Sequence, residues 1–265
     1  YIGVTGVQTC ALPICHAPWS NGYESMIYVA WAITLSGIFF SKQSNLALAT
    51  TSILTGITLF VAHLSWMEPQ ITTLVPVLKS YWLTIHVSVI TASYGFLALS
   101  CLLGFISLCL FIFANPKNEN ENFFRILLSI KESNRINEMS ILIGLVFLII
   151  GNFLGGIWAN ESWGRYWGWD PKETWAYVSI VVYVIVVHLR FVKPLATPFA
   201  FATASLLAFA SILMTYFGVN FYLSGMHSYA TGDPVPIPTW VYYVLTIVIV
   251  TISLAFKNRN LKETL

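Results

Sequence analysis

The sequence predicts an all-α membrane protein, a polytopic helical bundle of about seven transmembrane helices with an external tryptophan-rich loop. Three observations lead there. The 265 residues are 57% hydrophobic and only 9% charged, whereas soluble domains carry roughly 25% charged residues. Apolar runs of about twenty residues, the length that crosses a bilayer, recur between short polar segments. Between two of these runs, Trp158 to Trp175 reads WANESWGRYWGWDPKETW and holds five of the chain's ten tryptophans in eighteen residues. This stretch is too polar to cross a bilayer and too aromatic for an ordinary connection. Indole rings gathered at the membrane boundary form a flat apolar surface, which suits a large planar ligand.

In chain order the predicted spans are Glu24 to Phe40, Leu46 to Trp66, Trp82 to Ala114, Ser140 to Trp158, Thr174 to Val192, Thr197 to Ser224 and Pro238 to Phe256. The third run is longer than one span needs and has no internal break, so its end is expected to project from the membrane as helix or to tilt strongly. The fourth carries Gly144, Gly151 and Gly155, a small-residue stripe along one face that lets a neighbouring helix approach closely. The sixth aligns Tyr216, Asn220, Ser224 and His227 at near-helical spacing, and polar groups at membrane depth are expected to face the protein interior.

Orientation follows from the cations, because Lys and Arg near span ends are retained on the cytoplasmic side. With the first span running inward, one side collects Lys42, Lys117, Arg125, Lys131, Arg135, Arg190, Lys193, Lys257, Arg259 and Lys262, while the other has Lys79, Arg165 and Lys172. Ten against three places the tryptophan-rich loop outside. The net charge of +2 comes mostly from these inner segments and points to topology rather than to nucleic acid. The longest hydrophilic connection, Asn115 to Met139, mixes Arg125, Lys131, Glu132 and Arg135 with Phe123, Phe124, Ile126, Leu127, Leu128 and Ile130, the pattern of a short amphipathic helix on the cytoplasmic surface.

Cys101 and Cys109 lie within the third span without the spacing of a redox pair and read as apolar packing. Cys10 and Cys15 fall in the segment Tyr1 to Cys15, which has neither membrane period nor export-signal pattern. The string VTGVQTCALPI resembles a translated sequencing adapter, which would make residues 1–15 foreign to the protein and leave 16–265 as one membrane-embedded domain.

Of the five histidines, His86 lies near the outer end of the third span and His227 where the sixth emerges outside, so both flank the tryptophan loop. Two neutral imidazoles approaching from opposite sides fill the axial positions of a haem iron, provided that apolar or aromatic surface holds the porphyrin between them. A single histidine at a membrane interface is more often a hydrogen-bonded structural residue, and tryptophans gather there as anchoring belts. Five tryptophans interleaved with Gly164, Gly168, Asp170 and Glu173 exceed what anchoring needs. His63 is the rival outer ligand, His16 reads as structural, and Asp170, Lys172 and Glu173 also read as a local salt bridge or helix cap. Lys172 and Arg165 are candidate partners of haem propionates.

The string WGRYWGWDPKETW matches the Trp-Gly-x-x-Trp-x-Trp-Asp signature of haem-handling proteins, and its context resembles the CcsA (ResC) cytochrome c biogenesis family, the system II cytochrome c synthases. HAPWSNGYESM, LVPVLKSYWLTIHVSV and GMHSYATGDPVP are similar to further blocks of that family, so the resemblance covers roughly His16 to Leu265. It implies that His86 and His227 are external axial ligands of haem b, with Trp158, Trp163, Gly164, Trp167, Trp169 and Asp170 forming the platform. His188 then corresponds to the family's intramembrane histidine, a transient iron ligand during haem loading, and otherwise reads as a histidine set against the dipole of a helix end.

The resemblance further implies a CcsB (ResB) membrane partner and an apocytochrome c substrate, in a bacterial inner (plasma) membrane or a thylakoid. Its chemistry joins haem vinyl groups to the thiols of a Cys-x-x-Cys-His substrate, so positioning is the catalysis and no covalent nucleophile of this chain is needed. An alternative is a haem carrier or exporter that hands haem to a separate chaperone or synthase. A dihaem electron-transfer subunit or a solute transporter is weaker, because only His188 lies deep and no inverted repeat is visible.

Overall fold

The computed structural model describes residues 22–64, 80–116, 120–226 and 236–261. Seven helices in it are long and apolar enough to cross a membrane. Their α-helical parts are α1 (Gly22–Phe40), α2 (Asn45–Ala62), α3 (Tyr81–Phe113), α4 (Glu121–Trp163), α5 (Pro171–His188), α6 (Pro198–Leu213) and α7 (Thr239–Ala255), the sixth span running on to Tyr222 and the seventh to Asn258, and no strand occurs among the described residues. The chain is an integral membrane protein.

Helices α3 and α4 form the long antiparallel hairpin on which the others assemble. With 33 and 43 residues, they run about 50 and 65 Å at 1.5 Å per residue, well beyond a hydrocarbon core of about 30 Å. The third span is thus one unbroken helix, longer than a bilayer crossing needs. Its partner differs from expectation: the stretch from Asn115 to Met139 is not a separate surface helix. From Glu121 onward it continues into the fourth span without a break.

The reason lies in which residues turn inward. Phe123, Leu127 and Ile130 join Leu108 and Phe111 of α3, Phe199 and Ala202 of α6 and Ala255 of α7 in one buried cluster. The cations Arg125, Lys131 and Arg135 stay exposed. Polar residues one turn further on face α3 instead of water. Ser107 donates to Ser133 at 2.9 Å, Ser100 to Asn137 Oδ1 at 2.7 Å, and Asn137 Nδ2 to Ser205 Oγ of α6 at 2.8 Å. Such interhelical bonds contribute about 0.6 kcal/mol each within a membrane and fix the register of the three helices.

The glycine stripe of α4 does what its spacing predicts. Cβ atoms added at Gly144 and Gly151 would come within 2.7 and 2.6 Å of Leu97 and Ile90, so α3 lies directly against it. Around this hairpin, α1 and α2 pack on one flank through Phe40, Ala47, Leu99, Leu103 and Ile136. On the other flank α5 and α6 enclose Tyr94, Leu97, Leu148, Tyr183 and Ile212. Thr251 and Ala255, the buried residues of α7, both lie in the last two turns of that helix.

Helix α6 continues past Leu213 through a π-helical turn, Met214–Gly218, and a final turn, Val219–Tyr222. The extra residue of such a turn rotates the helix face beyond it. Tyr216 still meets Tyr94 edge-on at 6.3 Å, but Ser224 lies beyond the helix end, so the four-residue polar stripe expected here extends in helical form only to Asn220. His227, like His16, Cys10 and Cys15, lies outside the described residues.

Candidate functional site

At the tryptophan end of the hairpin, α4 runs on through Trp163, and α5 begins at Pro171. The connecting loop is therefore residues 164–170, shorter than the predicted 158–175, and Trp158 and Trp163 stand on the last turns of a helix. Gly164 ends α4 in the left-handed conformation (φ 71°), its N–H bonded to Asn160 O at 2.9 Å. Glycine adopts that geometry without penalty and is favoured at such helix ends. The loop then folds back, bringing Tyr166 O to 3.2 Å from where a Cβ at Gly156 would sit.

The loop is braced by a carboxylate. Glu173 Oε2 accepts from Gly168 N at 2.8 Å and from Asp170 N at 3.3 Å, while Asp170 caps α5 and completes a capping box with Glu173. Between the two N–H groups sits Trp169, with φ of 59°. A bulky side chain in the left-handed region costs on the order of 1–3 kcal/mol and persists only where its surroundings hold it. Trp169 is 75% exposed. It stands perpendicular to Trp167 at 5.7 Å, and Trp167 in turn meets Tyr177 of α5 at 6.5 Å.

His86, on α3, faces the end of α4. A Cβ at Gly155 would lie 2.6 Å from His86 Cε1, so this glycine of the stripe seats the imidazole and is more than a packing contact. Nδ1 is 2.7 Å from Gly151 O. A carbonyl can only accept, so Nδ1 carries the proton of this bond and the lone pair of the neutral ring lies on Nε2. Trp158, 4% exposed, lies parallel to the imidazole (7°, centroids 6.4 Å apart), and Trp163 packs edge-on against Trp158 at 4.7 Å. The α3 end is tied down as well: Ser80 Oγ donates to Glu161 Oε2 at 2.7 Å.

The structure thus brings His86, Trp158 and Trp163 into one stack, and Trp167, Trp169 and Tyr177 into a second group on the adjoining loop. Asp170 is 6% exposed, its carboxylate turned into the protein as a cap and not out onto an aromatic surface. Lys172 Nζ donates to Asn220 Oδ1 at 2.8 Å, and Arg165 Nη2 reaches Met226 Sδ at 3.4 Å. Both cations, read from sequence as propionate partners, bind protein groups here. His63 closes the C-terminus of α2 with Nδ1 3.2 Å from Leu59 O and its ring 6.0 Å from Tyr23.

His188 is the last residue of α5, at the opposite end of that helix from Asp170. It is exposed, its Nδ1 lies 2.7 Å from Val184 O one turn back, and Phe191 tilts against it at 5.8 Å. The helix-cap reading of Asp170 and Glu173 is borne out by the capping box; what sequence reasoning missed is the added bond from Gly168 N by which Glu173 braces the loop. The signal for the cap was the Asp-Pro-x-Glu spacing of a capped helix start.

A family model described as cytochrome C assembly protein matches residues 19–227, a range that holds His86, His188, His227 and the whole tryptophan loop. The chain belongs to this cytochrome c assembly family. Among its relatives, CcsA, a cytochrome c biogenesis protein of Guillardia theta, is 37% identical over 234 residues, covering 80% of this chain and 76% of that protein. CcsA of Prochlorococcus marinus is 34% identical over 240 residues, covering 81% and 76%. NrfI of Wolinella succinogenes is 54% identical over 221 residues, 83% of this chain. The chain spans only 24% of NrfI's length. The CcsA cytochrome c biogenesis family, to which the chain belongs, is haem-related.

Proposed function

We propose that this chain takes haem b as its substrate at the tryptophan end of the bundle and holds the iron between His86 and His227. It presents the vinyl groups there to the two thiols of a Cys-x-x-Cys-His apocytochrome c. Residues 16–265 act as one haem-handling domain, together with a CcsB/ResB-type membrane partner, in a bacterial inner membrane or a thylakoid. The tryptophan end faces the outer side, in keeping with the ten-to-three cation asymmetry.

The observation that carries this reading is the seat of His86. A ring on a glycine, with Nδ1 bound to a backbone carbonyl and an indole plane alongside, is the arrangement expected of a pre-oriented iron ligand, because fixing one ring nitrogen fixes both tautomer and direction. Exposed Trp169 and half-buried Trp167 supply aromatic surface for the macrocycle face. In each thioether linkage, one S–H adds across a vinyl C=C, sulfur to one carbon and hydrogen to the other, so neither oxidant nor reductant is consumed. Positioning of the partners is the chain's contribution. His188 serves as a transient iron ligand at the far end during loading.

Coexpression with a CcsB-type partner and an apocytochrome, followed by haem staining of the denatured substrate, tests the reading. Covalent haem on the apocytochrome is the expected result. A chain that retains haem while its substrate never becomes covalently labelled would instead be a carrier.

A further inference from the structure

We infer that Asp170 is a positioning residue for His227: its carboxylate pins the backbone at Gly225–Met226, immediately before that histidine, to the first turn of α5. The inference rests on the assignment of His227 as an iron ligand. Asp170 Oδ2 accepts from Lys172 N at 3.1 Å and Oδ1 from Met226 N at 2.6 Å, so one buried carboxylate joins the tryptophan loop to a segment 56 residues further along. Bonds to an ionised acceptor are shorter and stronger than neutral ones.

Gly225 belongs to the same device. A Cβ there would lie 2.5 Å from Asp170 Oδ1 and 2.8 Å from Pro171 Cδ, so a side chain would force the two segments apart. The Lys172 to Asn220 and Arg165 to Met226 contacts reinforce the junction from either side. Such tethers are needed because α6 ends at Tyr222. Chain beyond a helix end samples many conformations, and ligand affinity falls by the fraction of time spent outside the competent one. Asp170 raises that fraction without touching haem.

Four variants of the full chain, purified from haem-replete membranes and examined by optical and EPR spectroscopy, test this. Asp170→Ser keeps an N-cap acceptor but is too short to reach Met226 N. Gly225→Ala leaves the cap intact and pushes on the same bond. Both are expected to hold about tenfold less low-spin haem, the loss of one charge-assisted hydrogen bond, and to regain it with imidazole, as His227→Gly does. Asp170→Asn keeps a single acceptor oxygen, enough for the N-cap or for Met226 N but not for both, and is expected to fall between wild type and Asp170→Ser, with imidazole restoring the loss. Wild-type spectra in Asp170→Ser and Gly225→Ala, alongside loss in His227→Gly, overturn the inference while leaving the ligand assignment standing. Loss that imidazole does not restore assigns Asp170 to folding alone and also overturns it. Low-spin haem in His227→Gly removes the ligand assignment and the inference together.

Discussion

The two ends of this bundle each carry a histidine, and they treat it differently. His86 is clasped by a second helix: its ring rests on Gly155, its Nδ1 is bound to Gly151 O, and Trp158 lies parallel to it. His188 is held by its own helix, through Val184 O, and is exposed beside Phe191. A ligand that must retain a large substrate through a reaction benefits from pre-orientation, since its geometry is settled before binding. A ligand that passes its substrate on is served by looser support. On the proposed function, the same residue type would serve retention at one end and release at the other.

That contrast can be broken most severely at Gly155. Gly155→Ala drives a methyl into the imidazole, and overpacking of this kind costs about 1–3 kcal/mol. Haem retention should fall about tenfold or more as the ring is displaced, measured by pyridine haemochrome on purified protein. Wild-type occupancy would mean that the seat is not required. The next largest effect is expected at Trp169. Trp169→Gly relieves left-handed strain of about 1–3 kcal/mol, offsetting the lost ring contact and the added chain entropy. Thermal stability should therefore stay within about 1 kcal/mol of wild type while haem occupancy drops several-fold, and a matched fall in both would assign Trp169 to folding.

At the other end, His188→Ala should leave the low-spin spectrum of haem already bound at the tryptophan end unchanged and shift stability by no more than about 1 kcal/mol. It should slow accumulation of that haem in cells. A changed spectrum of the bound haem would tie the two ends together. The smallest effect is expected from the Arg190–Glu138 pair beside His188, 2.6 Å apart with side chains 57% and 38% exposed. Glu138→Gln should alter the melting free energy by about 0.2–1 kcal/mol and weaken further with salt.

Much of the fold is legible in the sequence because a bilayer imposes a length: each run of about twenty apolar residues between polar breaks became one helix of α1 to α7, although α4 begins well before its predicted span. The junction near Ser140 was not legible. Exposed Arg125, Lys131 and Arg135 resemble a loop, while Ser133 and Asn137 look hydrophilic in one dimension and are interhelical partners in three. The π-turn at Met214–Gly218 has no sequence period of its own, so the phase of α6 beyond it could not be read. At the site, His86 and the tryptophans were recognisable as residue types at the same membrane edge. That Gly155 seats a ring, and that Asp170 faces inward, depend on which neighbour meets which face, which only the packed hairpin decides.

The central claim, that His86 ligates haem iron from its glycine seat at the tryptophan end, is tested most directly by the EPR spectrum of haem bound to His86→Gly before and after addition of imidazole. The account predicts low-spin iron in the wild type, high-spin iron in the variant and a return to low spin with imidazole. Low-spin iron in His86→Gly without added imidazole would contradict it.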